Sequence, residues 1–185
     1  MKKLGIILPL LLIVGIVWVS YGFVNHYSFH PGVPGGKVNW VSMEEAVTLA
    51  EQDGKKIVVD VYTDWCGWCK VMDRQTYGNQ NIADYINENF HAVKFDAEGK
   101  ESITIGDKTY KFVNQGRRGY HEYAAWLLAG QMSFPSTTFL DSDHSMIGAV
   151  PGFIKPTQFS QILEYTHTEA YENMSFQEYV ESGSK

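Results

Sequence analysis

The chain has 185 residues, 44% of them hydrophobic, which suits one globular domain with a substantial core plus an appended segment. That composition excludes a disordered chain, and no repeat divides it. The net charge of −6 excludes a general nucleic-acid binder, because phosphate contacts need clustered Lys and Arg that this chain lacks.

Met1-Lys2-Lys3 precedes Leu4 to Val24, about 21 residues without a charge, and a helix of that length spans roughly 30 Å of hydrocarbon. Residues 1–24 are therefore read as a signal anchor, an N-terminal transmembrane helix. The run exceeds the about 7–15 residues of a signal-peptide core, and no A-x-A site follows it. Cleavage near Ser20-Tyr21-Gly22, leaving a secreted or periplasmic product, is the alternative. Lys2, Lys3 and the terminal amine lie before the span and the next lysine is Lys37, so the positive-inside rule places the domain outside the cytoplasm. Residues 25–37 carry Pro31, Pro34 and several glycines and read as a tether; residues 38–185 form the folded domain.

Ser42-Met43-Glu44-Glu45 is a capping box, and Ala46, Val47, Leu49 and Ala50 continue an amphipathic helix to Asp53-Gly54. Ile57 to Tyr62 is a β-branched and aromatic run of the kind that makes a strand buried on both faces. Thr63-Asp64 breaks it, and Asp64 is the expected cap of a helix whose first turn carries Cys66-Gly67-Trp68-Cys69.

Both cysteines of the chain lie in that turn. CxxC spacing brings the two sulfurs within bonding reach, and unpaired N–H groups at the helix start stabilise a thiolate on the first. Cys66 is thus the expected nucleophile. Cys69, one turn deeper, attacks the mixed disulfide and releases the partner. Two structural readings compete. A zinc site needs about four ligands, and no second CxxC or His pair supplies them. A purely structural disulfide closes so short a ring that it constrains the unfolded chain little.

Further along, the helix is expected to run to Thr76 and break at Gly78-Asn79. Ile82, Tyr85 and Ile86 mark another helix before the strand Phe90 to Phe95. Ile103-Thr104-Ile105 and Thr109 to Phe112 flank Gly106-Asp107-Lys108 as a solvated β-hairpin, followed by a basic loop, Gly116-Arg117-Arg118-Gly119. Tyr120 to Met132 reads as a helix. Ser133 to Asp141 is a strand containing Pro135, Ser145 to Val150 is its hairpin partner, and Thr157 to Tyr165 is the closing helix. Ser175 and Glu178 cap a last helical turn. The six histidines are scattered singly and read as surface or structural groups.

The segment around Asp64-Trp65-Cys66-Gly67-Trp68-Cys69-Lys70, following a buried strand, resembles the active-site stretch of the thioredoxin superfamily, whose usual ending is Trp-Cys-Gly-Pro-Cys-Lys. The resemblance covers about Trp40 to Tyr165. The entry through helix and Gly-Lys-Lys strand is similar to thioredoxin-like proteins of bacterial envelopes, including the C-terminal domain of the disulfide reductase DsbD. It implies an α/β, thioredoxin-like fold: a central mixed β-sheet with helices on both faces, and here a β-hairpin insertion before the cis-Pro strand. Asp60 matches the buried acid and Lys94 its partner beneath the disulfide. Phe134 and Pro135 match the cis-proline ledge on which an extended substrate lies, Gly152 a glycine near the thiols, and Trp65, Gly67 and Trp68 the rim around them. The implied activity is thiol–disulfide exchange with protein thiols and disulfides of the cell envelope, as a reductase recharged by a membrane electron donor. No metal or organic cofactor is implied. Trp68 stands where thioredoxin has proline, which leaves the redox potential open. A non-catalytic partner-binding module or a copper-delivery protein is the rival.

Overall fold

The computed structural model describes residues 37–116 and 118–183. The membrane span expected over residues 4–24 lies outside them, as does all but Lys37 of the tether. Among the described residues no helix is long and apolar enough to cross a membrane.

A five-stranded mixed sheet forms the centre, in the order β1-β3-β2-β8-β9. β1 (Trp40–Val41), β3 (Phe90–Asp96) and β2 (Lys56–Tyr62) run parallel, β8 (Ser136–Leu140) runs antiparallel to β2, and β9 (Met146–Pro151) antiparallel to β8. β2 is central, and every residue from Lys56 to Val61 is buried, which explains its unbroken apolar run. Alternate β2 side chains feed two cores. Ile57, Val59 and Val61 pack with α1 (Met43–Asp53) and α4 (Glu122–Leu127) on one face. Val58 packs on the other face with Met72, Tyr77, α3 (Gln80–Asn89) and α5 (Pro156–His167). The expected mixed sheet with helices on both faces is what the chain forms. Each fully buried Leu, Ile or Phe contributes roughly 1.5–3 kcal/mol.

Helix ends follow their signals. Ser42 Oγ accepts from Glu45 N–H at the start of α1, and Gly54 ends it in the left-handed region at φ +75°. At the far end, Ser175 and Glu178 form a reciprocal capping box on α6 (Phe176–Glu181).

The insertion differs from its expectation. In place of one solvated ribbon there are two hairpins: β4 (Ile103–Ile105) with β5 (Lys108–Tyr110), and β6 (Phe112–Gln115) with β7 (Arg118–His121). Phe112 belongs to the second hairpin. The first is not simply solvated, because Ile103, Ile105 and Tyr110 pack against the core beside α1. In the second, Gly116 at φ +68° supplies turn geometry that reads in the sequence as a polar loop. β7 takes Tyr120 from the helix expected over 120–132. α4 ends at Leu127, with Ala129 and Gly130 at positive φ. His121 caps α4 by accepting Tyr123 N–H at Nδ1, and its Nε2 lies 3.0 Å from Glu101 O, so the ring is structural.

Candidate active site

β2 ends at Tyr62 and leads through Thr63 to Trp65 at the end of the sheet, and α2 (Gly67–Met72) begins two residues after Trp65. Its N-cap is Cys66 and not Asp64, which is exposed. Cys66 Sγ itself accepts Cys69 N–H at 3.0 Å, and Cys66 N–H donates to Thr63 O at 3.1 Å. A sulfur seated in the cap position faces the unsatisfied N–H groups and positive end of the helix, the arrangement that favours a thiolate.

Cys66 and Cys69 are disulfide-bonded, with Cα atoms 5.3 Å apart. Cys66 is 4% exposed and Cys69 3%, so both sulfurs are recessed. What stands at the surface is the aromatic rim: Trp65 is 54% and Trp68 62% exposed. Trp65 meets Phe134 edge-on at 6.0 Å between centroids, and Trp68 leans on Phe153 at 5.6 Å. Trp65 Nε1 also donates to Glu98 Oε1 at 3.1 Å. Gly67 is exposed between them.

The peptide bond between Phe134 and Pro135 is cis. Gly152, at φ +90°, donates its N–H to Pro135 O at 2.8 Å, so the end of β9 holds the ledge. A side chain at Gly152 would strain that backbone. The structure thus brings Trp65, Gly67, Trp68, Phe134, Pro135 and Gly152 to the surroundings of one disulfide.

A charged group that the sheet register dictates lies against the turn that continues the disulfide's helix. Asp60 on β2 is the direct neighbour of Lys94 on β3, and Lys94 Nζ lies 3.7 Å from Asp60 Oδ2. The same ammonium contacts Asp73, on the π-helical turn Asp73–Tyr77 that continues α2, and sits over the rings of Tyr62 and Trp40. Burial lifts the Asp60 carboxyl to about 7; Lys94 opposes the rise and the Asp73 charge adds to it. Asp60 Oδ1 is buried with no hydrogen-bond partner among the described residues. A carboxylate so placed takes up a proton near neutral pH.

The resemblance implied Asp60 and Lys94 as partners, and the structure pairs them; Asp73, Glu98 and Phe153 were not singled out as site residues. Asp73 follows Cys69 by four residues, one helical turn, but its place beside Lys94 is set by the packing of that turn on β3 and left no signal in the sequence. Glu98 and Phe153 reach the site through loops and left no periodic trace. Among the described residues no group of three or more His, Cys, Asp or Glu side chains is placed to hold a metal ion.

The arrangement joins a CxxC disulfide at a helix cap to a cis-proline ledge, and comparison with known proteins agrees on the fold. A solved structure described as DsbH oxidoreductase aligns with a TM-score of 0.52 at 20% identity, over 76% of this chain and 91% of that one. A thioredoxin-fold protein from Helicobacter pylori aligns at 0.54 with 19% identity, over 70% and 84%. An uncharacterised Caenorhabditis elegans protein is 29% identical over 135 residues, 68% of this chain, and the match spans only 16% of that protein's length. The profile of the family Thioredox_DsbH, described as a protein of unknown function, DUF255, matches residues 34–177, and the chain belongs to that thioredoxin-fold family.

Proposed function

We propose that this protein reduces disulfides of protein substrates outside the cytoplasm, held to the membrane by residues 4–24 and recharged by a membrane dithiol donor. The reading is supported by three parts of one fold: a disulfide at a helix cap, a cis-proline ledge whose Phe134 meets Trp65, and a buried carboxyl, Asp60, lifted to about 7.

In the reduced protein, the Cys66 thiolate attacks one sulfur of a substrate disulfide. A mixed disulfide forms and the first substrate thiolate leaves. Cys69 gives its thiol proton to ionised Asp60 and attacks Cys66 Sγ; the Cys66–Cys69 bond closes and the second substrate thiolate leaves. Two electrons pass to the substrate, and the donor dithiol restores the pair by the same exchange. No cofactor takes part.

Cys69→Ser removes the resolving step. Expressed as the full chain, that variant accumulates mixed disulfides through Cys66 with proteins exposed on the outer side of the membrane, recovered on non-reducing gels from the membrane fraction. Recovery of non-covalent partners only would favour a binding module, and recovery of cytoplasmic proteins would contradict the outward orientation.

A further inference from the structure

At Trp65, the residue before Cys66, lies a cavity of about 240 Å³ lined by Trp65, Glu98, Gln115, Gly119, Tyr120, Met132 and Phe134. Four parts of the chain build it, Glu98 coming from the turn after β3. Trp65 belongs to the active-site turn, Met132 and Phe134 lead into the cis-proline ledge, and Gln115, Gly119 and Tyr120 come from the β6–β7 hairpin. We propose that this cavity receives one large apolar side chain of the substrate, from a residue next to the cysteine under attack, so that the inserted hairpin sets substrate preference. The inference rests on the exchange reading above and deepens it.

The reaction itself fixes the occupant. Exchange brings a substrate sulfur to bonding distance of Cys66 Sγ, and an extended chain advances about 3.3–3.6 Å per residue. The residues flanking that sulfur therefore lie over the groups adjoining Cys66. Trp65 is the adjoining residue, and Phe134 is its ring partner. The cavity opens there. Its volume falls below the range of sites for drug-sized ligands, about 300–1,000 Å³, and suits one side chain.

Its chemistry selects among side chains. Trp65, Tyr120, Met132 and Phe134 offer aromatic and thioether surface. The Trp65 ring is held by Glu98 Oε1, and Glu98 N–H in turn donates to Asp96 Oδ1 at 2.9 Å. Asp64, Asp96 and Glu98 interact through their charges, crowding three carboxylates at this margin. An acidic substrate residue is repelled there. Gly119 has no room for a side chain, since a Cβ would lie 2.1 Å from Phe112 Cζ, so that ring closes over the hairpin and stiffens the wall.

The test measures kcat/KM of the reduced full chain on disulfide-linked peptides identical except for Trp, Leu, Ser or Glu at each position flanking the cysteine. Leu and Trp at one flank should exceed Ser by about tenfold, as expected for burying one large apolar side chain, with Glu lowest. Met132 is 38% exposed, so Met132→Glu folds, and it should collapse the Leu preference. Equal kcat/KM across the series, or a preference that survives Met132→Glu, would overturn the pocket assignment while exchange itself stands. Turnover of none of the peptides would sink the exchange reading and this inference with it.

Discussion

The residue whose protonation the fold shifts most consequentially is Asp60, the proposed proton acceptor. In the folded chain it keeps its proton up to about pH 7, whereas an unfolded Asp ionises near 3.8. Between those values the folded state binds more protons than the unfolded one, so this group's contribution to stability falls as pH rises through that window and levels off above it. The groups facing it are Lys94 from β3, Asp73 from the π turn, and Tyr77, whose buried hydroxyl pairs with Thr137 and stays protonated. Asp60→Asn should therefore stabilise the oxidised protein at pH 8, by up to roughly 4 kcal/mol, with the gain vanishing towards pH 4. It should also slow disulfide exchange at pH 7 by about 10²-fold. Urea unfolding at the two pH values and stopped-flow exchange check both; a pH-independent stability difference with unchanged exchange would remove the assigned role. Asp60 and Lys94 were legible because a charge in the middle of an apolar strand needs a reason. Asp73 was not, because a charge on a helix reads as solvent-facing until the tertiary neighbour is known.

At the scale of elements, the strands and helices of the central sheet were legible where periodicity was strong, as in α1, β2, α3 and β3. The insertion was misread because β6 and β7 are short, and only pairing with each other makes them strands. Their closeness has a measurable consequence. At Gly119 a methyl group would sit 2.1 Å from Phe112 Cζ and 2.5 Å from Val113 O, the latter a backbone atom that cannot swing away. Gly119→Ala should destabilise the protein by about 1–3 kcal/mol, lowering Tm by several degrees. Gly148→Ala, where a Cβ meets nothing within 4 Å, should cost far less and serves as the comparison. Thermal melts followed by circular dichroism decide it; equal melting temperatures for the two variants would mean that β6 and β7 do not pack as described. Helix α2 was placed correctly, yet its cap was assigned to Asp64, since the side-chain rule favours a carboxylate and gives no weight to a sulfur in that position.

For the whole molecule, the sheet register, the ledge and the helix cap converge on one pair of sulfurs, and the order of these parts along the chain was readable before their positions were. The recessed setting of Cys66 was not, because exposure depends on how the rim of Trp65, Trp68, Phe134 and Phe153 closes around it. The central claim is that Cys66, once reduced, is ionised and attackable near neutral pH while Cys69 waits beneath. Its most direct test is the pH dependence of iodoacetamide alkylation of the reduced full chain, with each site located by mass spectrometry. The account predicts modification of Cys66 alone, with a midpoint clearly below the about 8.5 of a free thiol. A midpoint at or above that value, or equal modification of Cys66 and Cys69, would contradict it.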